Sequence, residues 1–366
     1  MRTPRSVDLE ITSRCNLRCR YCYYFDNKHV TYRDLPTENW LQFIDELGQC
    51  AVMDVCLAGG EPFIREDLPE LIRAIVKNNM RFTIVSNGTL ANDPVAEIIA
   101  GTGRCDSVQV SIDGSCAEVH ETGRGKGSFA RAVRGIKIMQ GHGIPVHVRV
   151  TIHRQNVDDL ENTARFLLEE LGLPAFSTNA AGYFGSCRKN GEDLLLRVAE
   201  RQKAMDILLQ LEQRYGGRIT AQAGPLSEAH AWTRMEKGKQ ADAPQFANGG
   251  RLTGCGCTRA KIAVRADGTI IPCTMLAHLE LGRINHDPLE RTWQQSPVLK
   301  NLRQRQNIPL AGFKECSSCS YVKYCTGNCP GLAYNFTGEP NRPSPDACLQ
   351  KFLAEGGRIP GFVKSA

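Results

Sequence analysis

No run in the sequence approaches the roughly 18 apolar residues that a membrane-spanning helix requires. The first residues also lack the apolar core of a secretion signal, because Arg2 and Arg5 are followed closely by Asp8 and Glu10. Charge of one sign is nowhere concentrated. The 45 Lys and Arg stand against 39 Asp and Glu, and the resulting +6 is spread without a block, which argues against a dedicated nucleic-acid surface. The nucleotide-binding pattern GxxxxGK[ST] is missing. Its nearest imitation, Gly123-Arg124-Gly125-Lys126-Gly127, does not join a strand directly to a helix and reads as a flexible loop on the substrate side of a site. No internal repeat is visible.

What the sequence has in quantity is cysteine, with sixteen in 366 residues. Thiols stay reduced in a chain that is not exported, so the count points to metal or cluster ligation rather than to disulfides, and a cytoplasmic location is expected. With 42% hydrophobic residues the chain can bury a large core and should hold about two domains.

From Val7 to about Asn179, short β-branched runs alternate with amphipathic stretches, the signature of repeated β-α units and a parallel sheet. Six strands are predicted, over Val7–Thr12, Asp54–Ala58, Arg81–Ser86, Ser107–Ser111, Val146–Ile152 and Phe176–Asn179. Helical spacing is found over Glu38–Leu47, Leu68–Asn79, Phe129–Gln140 and Asp158–Leu171, with a further helix over Asp193–Arg214. The fold class is therefore α/β, a partial (β/α)6 barrel over residues 1–180. A bridging region covers 181–250, its polar, Gly- and Ala-rich second part serving as a link between domains. A cysteine-rich domain follows at 251–348 and a tail at 349–366. Eight of the sixteen cysteines lie between Cys255 and Cys348, among many Gly, Pro and Asn, so this part is expected to be held together by metal ligation more than by a core.

Cys15, Cys19 and Cys22 form CxxxCxxC straight after the first strand. Three thiolates can hold three irons of a four-iron cluster and leave the fourth iron open to a small ligand. The same three residues could instead hold zinc with His29 as fourth ligand. Gly59-Gly60-Glu61-Pro62 follows the second strand, Ser86-Asn87-Gly88 the third, and Ser111-Ile112-Asp113-Gly114 the fourth. All stand at carboxyl ends of strands, where parallel sheets and barrels place their sites, although each alone would pass as an ordinary turn.

Taken together, Cys15-xxx-Cys19-x-Tyr21-Cys22, Gly-Gly-Glu-Pro and Ser-Asn-Gly resemble the radical S-adenosylmethionine (SAM) superfamily over roughly residues 7–180. The resemblance implies that the open iron chelates the amino and carboxylate groups of SAM and that cleavage of the sulfonium yields a 5'-deoxyadenosyl radical, which abstracts hydrogen. It implies that Gly59, Gly60 and Glu61 line the methionine end of SAM, with the Glu61 carboxylate receiving the ammonium. Tyr21 would pack beside cluster and adenine and Ser111 would reach the ribose, while Ser86, Asn87, Arg124 and Arg149 are further candidates for the cofactor shell. Arg149 reads equally well as a satisfied structural arginine or as a partner of the SAM carboxylate.

The second group reads Cys255-x-Cys257, Gly268-xxxx-Cys273, Cys316-xx-Cys319-xxxxx-Cys325-xxx-Cys329, and Cys348. Eight thiolates suffice for two sites of four, and on spacing alone two structural zinc ions would suit them. The order resembles the SPASM extension over about residues 251–348, which implies two auxiliary four-iron clusters and hence three [4Fe-4S] clusters in all. By that resemblance Cys316, Cys319, Cys325 and Cys348 hold the outer cluster, and Cys329 crosses back to join Cys273, Cys255 and Cys257 on the inner one. The single residue between Cys255 and Cys257 departs from the usual wider spacing, so both may ligate or one may leave an iron open. Cys50, Cys56 and Cys105 read as buried small hydrophobes. Cys116 and Cys187 lie in polar, loop-like surroundings and are candidate hydrogen-atom donors.

The expected activity is modification of a ribosomally made peptide, with an electron donor such as flavodoxin or ferredoxin as partner and with no nucleic-acid or membrane partner. The first cluster cysteine stands only fifteen residues into the sequence, which leads to the expectation of a separate leader-binding protein or of leader binding around residues 180–250. Two other readings compete, a sulfatase-maturase type enzyme and a non-catalytic zinc-binding interaction module. The former, as the resemblance goes, carries an Asp directly after the inner-cluster cysteine as proton acceptor. Here Cys273 is followed by Thr274, whose hydroxyl is a poor general base.

Overall fold

The computed structural model describes residues 2–26, 33–243, 246–253 and 255–361; His29 lies outside them. Ten strands form one sheet in the order β10-β9-β8-β1-β2-β3-β4-β5-β6-β7. The six expected strands are β1 Ser6–Thr12, β2 Asp54–Gly59, β3 Arg81–Ser86, β4 Cys105–Ser111, β5 Val146–Ile152 and β6 Phe176–Ala180, all paired in parallel with their sequence neighbours. Beyond them, β7 Ile219–Ala221 adds in parallel to β6, and β8 Lys261–Val264 adds in parallel to β1. The antiparallel β9 Thr269–Ile271 and β10 Gly282–Arg283 complete that edge.

Strand alternation sets the two faces. On β1, Val7, Leu9 and Ile11 are buried in the main core against helices Thr37–Gln49, through Trp40, Phe43, Ile44 and Leu47, and Leu68–Lys77, through Leu71, Ile72 and Ile75. Asp8, Glu10 and Thr12 therefore point to the opposite, concave side. Neighbouring strands set Cys56 and Ala263 level with Asp8, and Lys261 Nζ pairs with Asp8 Oδ1 at 2.7 Å. The concave side of this barrel is thus polar and charged, whereas its outer layer is packed hydrocarbon.

Three expectations need correction. The stretch after Arg214 was expected to be an irregular link, but it contains β7 and helix Pro225–Gln240, whose Ala229, Trp232 and Met235 are buried. These three meet Tyr321, Tyr324, Leu349 and Phe352 in a second core, with Trp232 and Phe352 ring centroids 4.6 Å apart. The cysteine-rich region is consequently packed onto this helix through a shared hydrophobic core. The helix expected over Asp158–Leu171 is broken into a 3-10 turn, an α-helix Leu160–Arg165 and a π turn Phe166–Glu170. The Gly123–Gly127 segment is not a free loop either: Gly123 and Arg124 end helix Ala117–Arg124 and are buried, and the next helix begins at Ser128. Among the described residues no helix is long and apolar enough to cross a membrane.

Candidate active site

β1 delivers the chain into the loop of Cys15, Cys19 and Cys22, where a Cys22 N–H bond to the Cys19 carbonyl (3.1 Å) closes the turn. Burial pushes all three thiols up, Cys19 to about 12, and the nearby Cys22 raises Cys15 and Cys19 further. Clustered thiols that resist ionisation alone are the donors a metal cluster can bind as thiolates, since its positive irons offset their mutual repulsion.

The turn after β2 wraps this loop. Gly60 N–H donates to Thr12 O (2.8 Å) and Glu61 N–H to Arg14 O (2.9 Å). A Cβ on Gly60 would stand 2.1 Å from Arg14 O, and Gly59 adopts φ +126°, so only glycine fits either position. Glu61 is fully buried, and its carboxylate accepts from Ser86 Oγ (2.7 Å), Asn87 N–H (2.7 Å) and Phe63 N–H (3.2 Å). Burial raises its pKa to about 7 against these three donors. Its described bonds are all internal, so in this structure Glu61 ties the β2 turn to the β3 turn rather than presenting a free carboxylate. From there the contact chain returns to the cysteines: Asn87 Nδ2 donates to Asn16 Oδ1 (2.9 Å) and lies 3.8 Å from Cys15 Sγ.

A residue not singled out from the sequence organises the other flank. Asp113, just beyond β4, is fully buried. It binds the Tyr21 hydroxyl, Arg124 Nε (2.5 Å) and Thr151 N–H (2.7 Å). Burial works against its ionised form, yet the Arg124 charge holds its carboxyl below the usual range. Arg124 in turn lies 5.4 Å from the Tyr21 ring centroid and, through Nη1, 4.0 Å from Cys19 Sγ. The signal was available, because an Asp at the carboxyl end of a barrel strand followed eleven residues later by Arg can pair across one helix.

Ser111, the last residue of β4, is the register partner of Arg149 in the middle of β5. Arg149 Nε lies 3.3 Å from Ser177 Oγ, no ion pair joins it to a carboxylate among the described residues, and burial lowers its pKa. Deeper on the same concave side Glu10 is buried, with its pKa raised to about 8 by burial and by Asp8, and it hydrogen-bonds Tyr23.

The eight C-terminal thiols fall into two groups. Cys255 and Cys257 are hydrogen-bonded to each other and lie near Cys273 and Cys329. Cys316, Cys319, Cys325 and Cys348 act on one another and line one small cavity. Arg305, fully buried, sits beside the first group and donates to the carbonyls of Thr253 (3.0 Å), Asn328 (3.1 Å) and Arg342 (3.1 Å). Among the described residues no three His, Cys, Asp or Glu converge closely enough for one metal ion.

Between the two ends of the molecule lies a narrow cleft. One wall is Tyr23, Phe184, Gly185 and Arg188; the other is Thr274, Met275, His278, Tyr334 and Asn335. Tyr23 adjoins Cys22, Thr274 adjoins Cys273, and Tyr334 stands on the helix that begins after Cys329. The two walls are locked at their backs. A Cβ on Gly185 would stand 2.3 Å from Cys22 O, and one on Gly331 would stand 2.6 Å from Met275 Cβ. Cys187 and Cys116 line no part of it. Cys187 begins helix Cys187–Leu194, not a loop, and is wholly buried with Tyr21 and Leu194. Cys116 stands at the start of helix Ala117–Arg124 and hydrogen-bonds Glu118.

Residues 9–167 match the family model of the radical SAM superfamily, and residues 255–320 match that of SPASM, an iron-sulfur cluster-binding domain. The PqqA peptide cyclase of Ruegeria pomeroyi is 27% identical over 346 residues, covering 93% of this chain and 86% of that protein. The AdoMet-dependent heme synthase of Methanosarcina barkeri is 26% identical over 342 residues, covering 92% of this chain and 94% of that protein. In fold, Streptococcus suis SuiB bound to the precursor peptide SuiA superposes with a TM-score of 0.70 at 17% identity, covering 95% of this chain and 76% of that one. With both family models matched in sequence order on the two cysteine groups that the fold sets either side of one cleft, the chain belongs to the radical SAM superfamily as an enzyme of its SPASM-domain subgroup.

Proposed function

We propose that this enzyme modifies a ribosomally made peptide held in the cleft between its N-terminal and inner C-terminal cysteine groups. The observation that carries the reading is the make-up of the two walls, one adjoining Cys22 and the other adjoining Cys273 and Cys329. The peptide class is supported by the peptide cyclase relative and by the peptide-bound fold neighbour.

When bound, the N-terminal cluster and SAM supply a 5'-deoxyadenosyl radical that abstracts hydrogen. Cys15, Cys19 and Cys22 hold that cluster. Gly59 and Gly60 leave room for the methionine end of SAM, and Glu61 fixes their turn against Ser86 and Asn87. Arg149, which lacks an acidic partner, receives the SAM carboxylate, Ser111 the ribose, and Tyr21 lies beside the adenine. The two C-terminal groups hold two auxiliary [4Fe-4S] clusters, three in all, a reading supported by the match to the SPASM iron-sulfur cluster-binding model. A ferredoxin- or flavodoxin-like protein supplies electrons, and a separate leader-binding protein presents the substrate. Thr274 lines the cleft where a sulfatase-maturase type reaction would need a carboxylate, so that reading is set aside.

The test is anaerobic incubation of the reconstituted enzyme with SAM, reductant and the short peptides encoded beside its gene. Peptide modification, read as a mass change or as deuterium uptake from D2O, in step with 5'-deoxyadenosine is expected. Modification of a tetrapyrrole instead, as the heme synthase relative would suggest, would overturn the peptide class.

A further inference from the structure

Arg188 is the one lining residue of the cleft with a fixed charge; the other named lining residues are Tyr, Phe, Gly, Thr, Met, Ala, His and Asn. Its Nη2 donates to the neutral Asn335 Oδ1 across the cleft, joining one wall to the other. Every Asp and Glu of the chain lies among the described residues, and none forms an ion pair with Arg188. Its neighbours are different. Lys189 pairs with Asp26 at 2.5 Å, Arg154 with Glu200 at 3.3 Å, and Arg201 with Glu228 at 2.7 Å. A half-buried guanidinium offered only a neutral oxygen retains donors for an anion, and its planar fork matches a carboxylate.

The position of Arg188 is well fixed. Ser186 N–H donates to Cys22 O (2.9 Å) and Ser186 Oγ to Asp26 Oδ2 (2.7 Å), so the start of the helix carrying Arg188 is pinned to the loop of Cys15, Cys19 and Cys22. Aromatic groups line the cleft beside it, where Tyr334 stacks on His278 with centroids 3.4 Å apart. A charged anchor in a cleft otherwise lined by neutral side chains orients a ligand by a single strong polar contact.

We propose that Arg188 is a substrate-binding residue that anchors a carboxylate of the peptide substrate, either an Asp or Glu side chain or the C-terminal carboxylate, close to the residue that is modified. This rests on the cleft being the substrate site. It adds that the substrate carries an acidic group there, and that the Arg188–Asn335 bridge opens to receive it.

The test uses the reconstituted holoenzyme with SAM and four synthetic peptide pools. One pair contains Glu and Asp, the other has Gln and Asn in their places, and each is made with free and with amidated C-termini. Retention is read by equilibrium dialysis and mass spectrometry for the wild type, Arg188→Gln and Arg188→Lys. The expected result is retention of an acid-bearing pool at least about tenfold above its amide counterpart, lost in Arg188→Gln and partly restored in Arg188→Lys. The arm that loses retention on amidation identifies the side chain or the terminus as the anchor. Equal retention of all four pools, or an acid preference that survives in Arg188→Gln with unchanged iron content, would overturn the anchor. Addition of reductant then separates the two claims, because absence of peptide modification despite acid-selective, Arg188-dependent retention would count against peptide chemistry and not against the anchor.

Discussion

Arg124 Nε lies 2.5 Å from Asp113 Oδ2 with neither side chain open to solvent, and the same guanidinium approaches Cys19 Sγ at 4.0 Å. The carboxyl end of β4 is thereby connected to the cluster loop through one ion pair. Removing one partner of a buried pair leaves the other uncompensated, at a cost of about 3–5 kcal/mol. Asp113→Asn and Arg124→Gln should each lower the unfolding midpoint strongly, and the double variant should lose less than the sum of the two. Strictly additive losses in anaerobic thermal unfolding would show that the two side chains act independently.

The β2 turn gives a second prediction. Glu61→Gln keeps the volume but replaces one acceptor oxygen by an amide donor facing the N–H of either Phe63 or Asn87, an unsatisfied arrangement costing about 1–3 kcal/mol. Gly60→Ala drives a methyl into Arg14 O, 2.1 Å away. Both variants should weaken SAM binding in calorimetric titration, and both should do so by displacing the turn. Unchanged affinity and unchanged stability would remove Glu61 from the account.

Much of this arrangement was legible in the sequence, and the reasons are physical. The parallel strands include stretches rich in β-branched residues, such as Val146–Ile152, whose alternation with helical spacing leaves little choice of class. The CxxxCxxC loop and the two Gly turns have fixed positions relative to those strands. Helix Pro225–Gln240 was not legible because its buried face, Ala229, Trp232 and Met235, is narrow and finds its partners about a hundred residues later, in Tyr321, Tyr324 and Phe352. Asp113 was passed over because an Asp before Gly looks like a turn residue, and only the fold buries it against Arg124. The cleft is also a product of the fold, since its walls come from segments around residues 23, 185, 275 and 335.

Glu10 gives a prediction in pH. It faces Asp8, Tyr23, Arg265 and Asp267, and its folded pKa of about 8 lies above the 4.5 of an exposed Glu. Between those values the folded state holds the proton more tightly than the unfolded state, so stability falls as pH rises, by up to about 1.4 kcal/mol per pH unit. Glu10→Gln, which is neutral throughout, should flatten this slope, leaving the variant more stable relative to the wild type at pH 8 than at pH 5. An identical dependence of the unfolding midpoint on pH in both proteins would mean that Glu10 is ionised in the folded state.

Arg305 binds carbonyls from three separated stretches of the C-terminal region, at Thr253, Asn328 and Arg342, beside Cys255, Cys257 and Cys329. Arg305→Met leaves these carbonyls without their donor in a buried place. The variant should lose iron from the C-terminal groups and become protease-sensitive around residues 250–345, while SAM still binds at the N-terminal site. Full iron content with wild-type protease resistance would reduce Arg305 to a replaceable filler.

The central claim is that radical generation belongs to the Cys15, Cys19 and Cys22 site alone, with the C-terminal thiols binding clusters independently. The most direct measurement is iron content together with 5'-deoxyadenosine formation in the anaerobically reconstituted variant in which all three cysteines are Ala. The account predicts that roughly two thirds of the wild-type iron remains and that no 5'-deoxyadenosine is formed. Continued SAM cleavage to 5'-deoxyadenosine by that variant would contradict it.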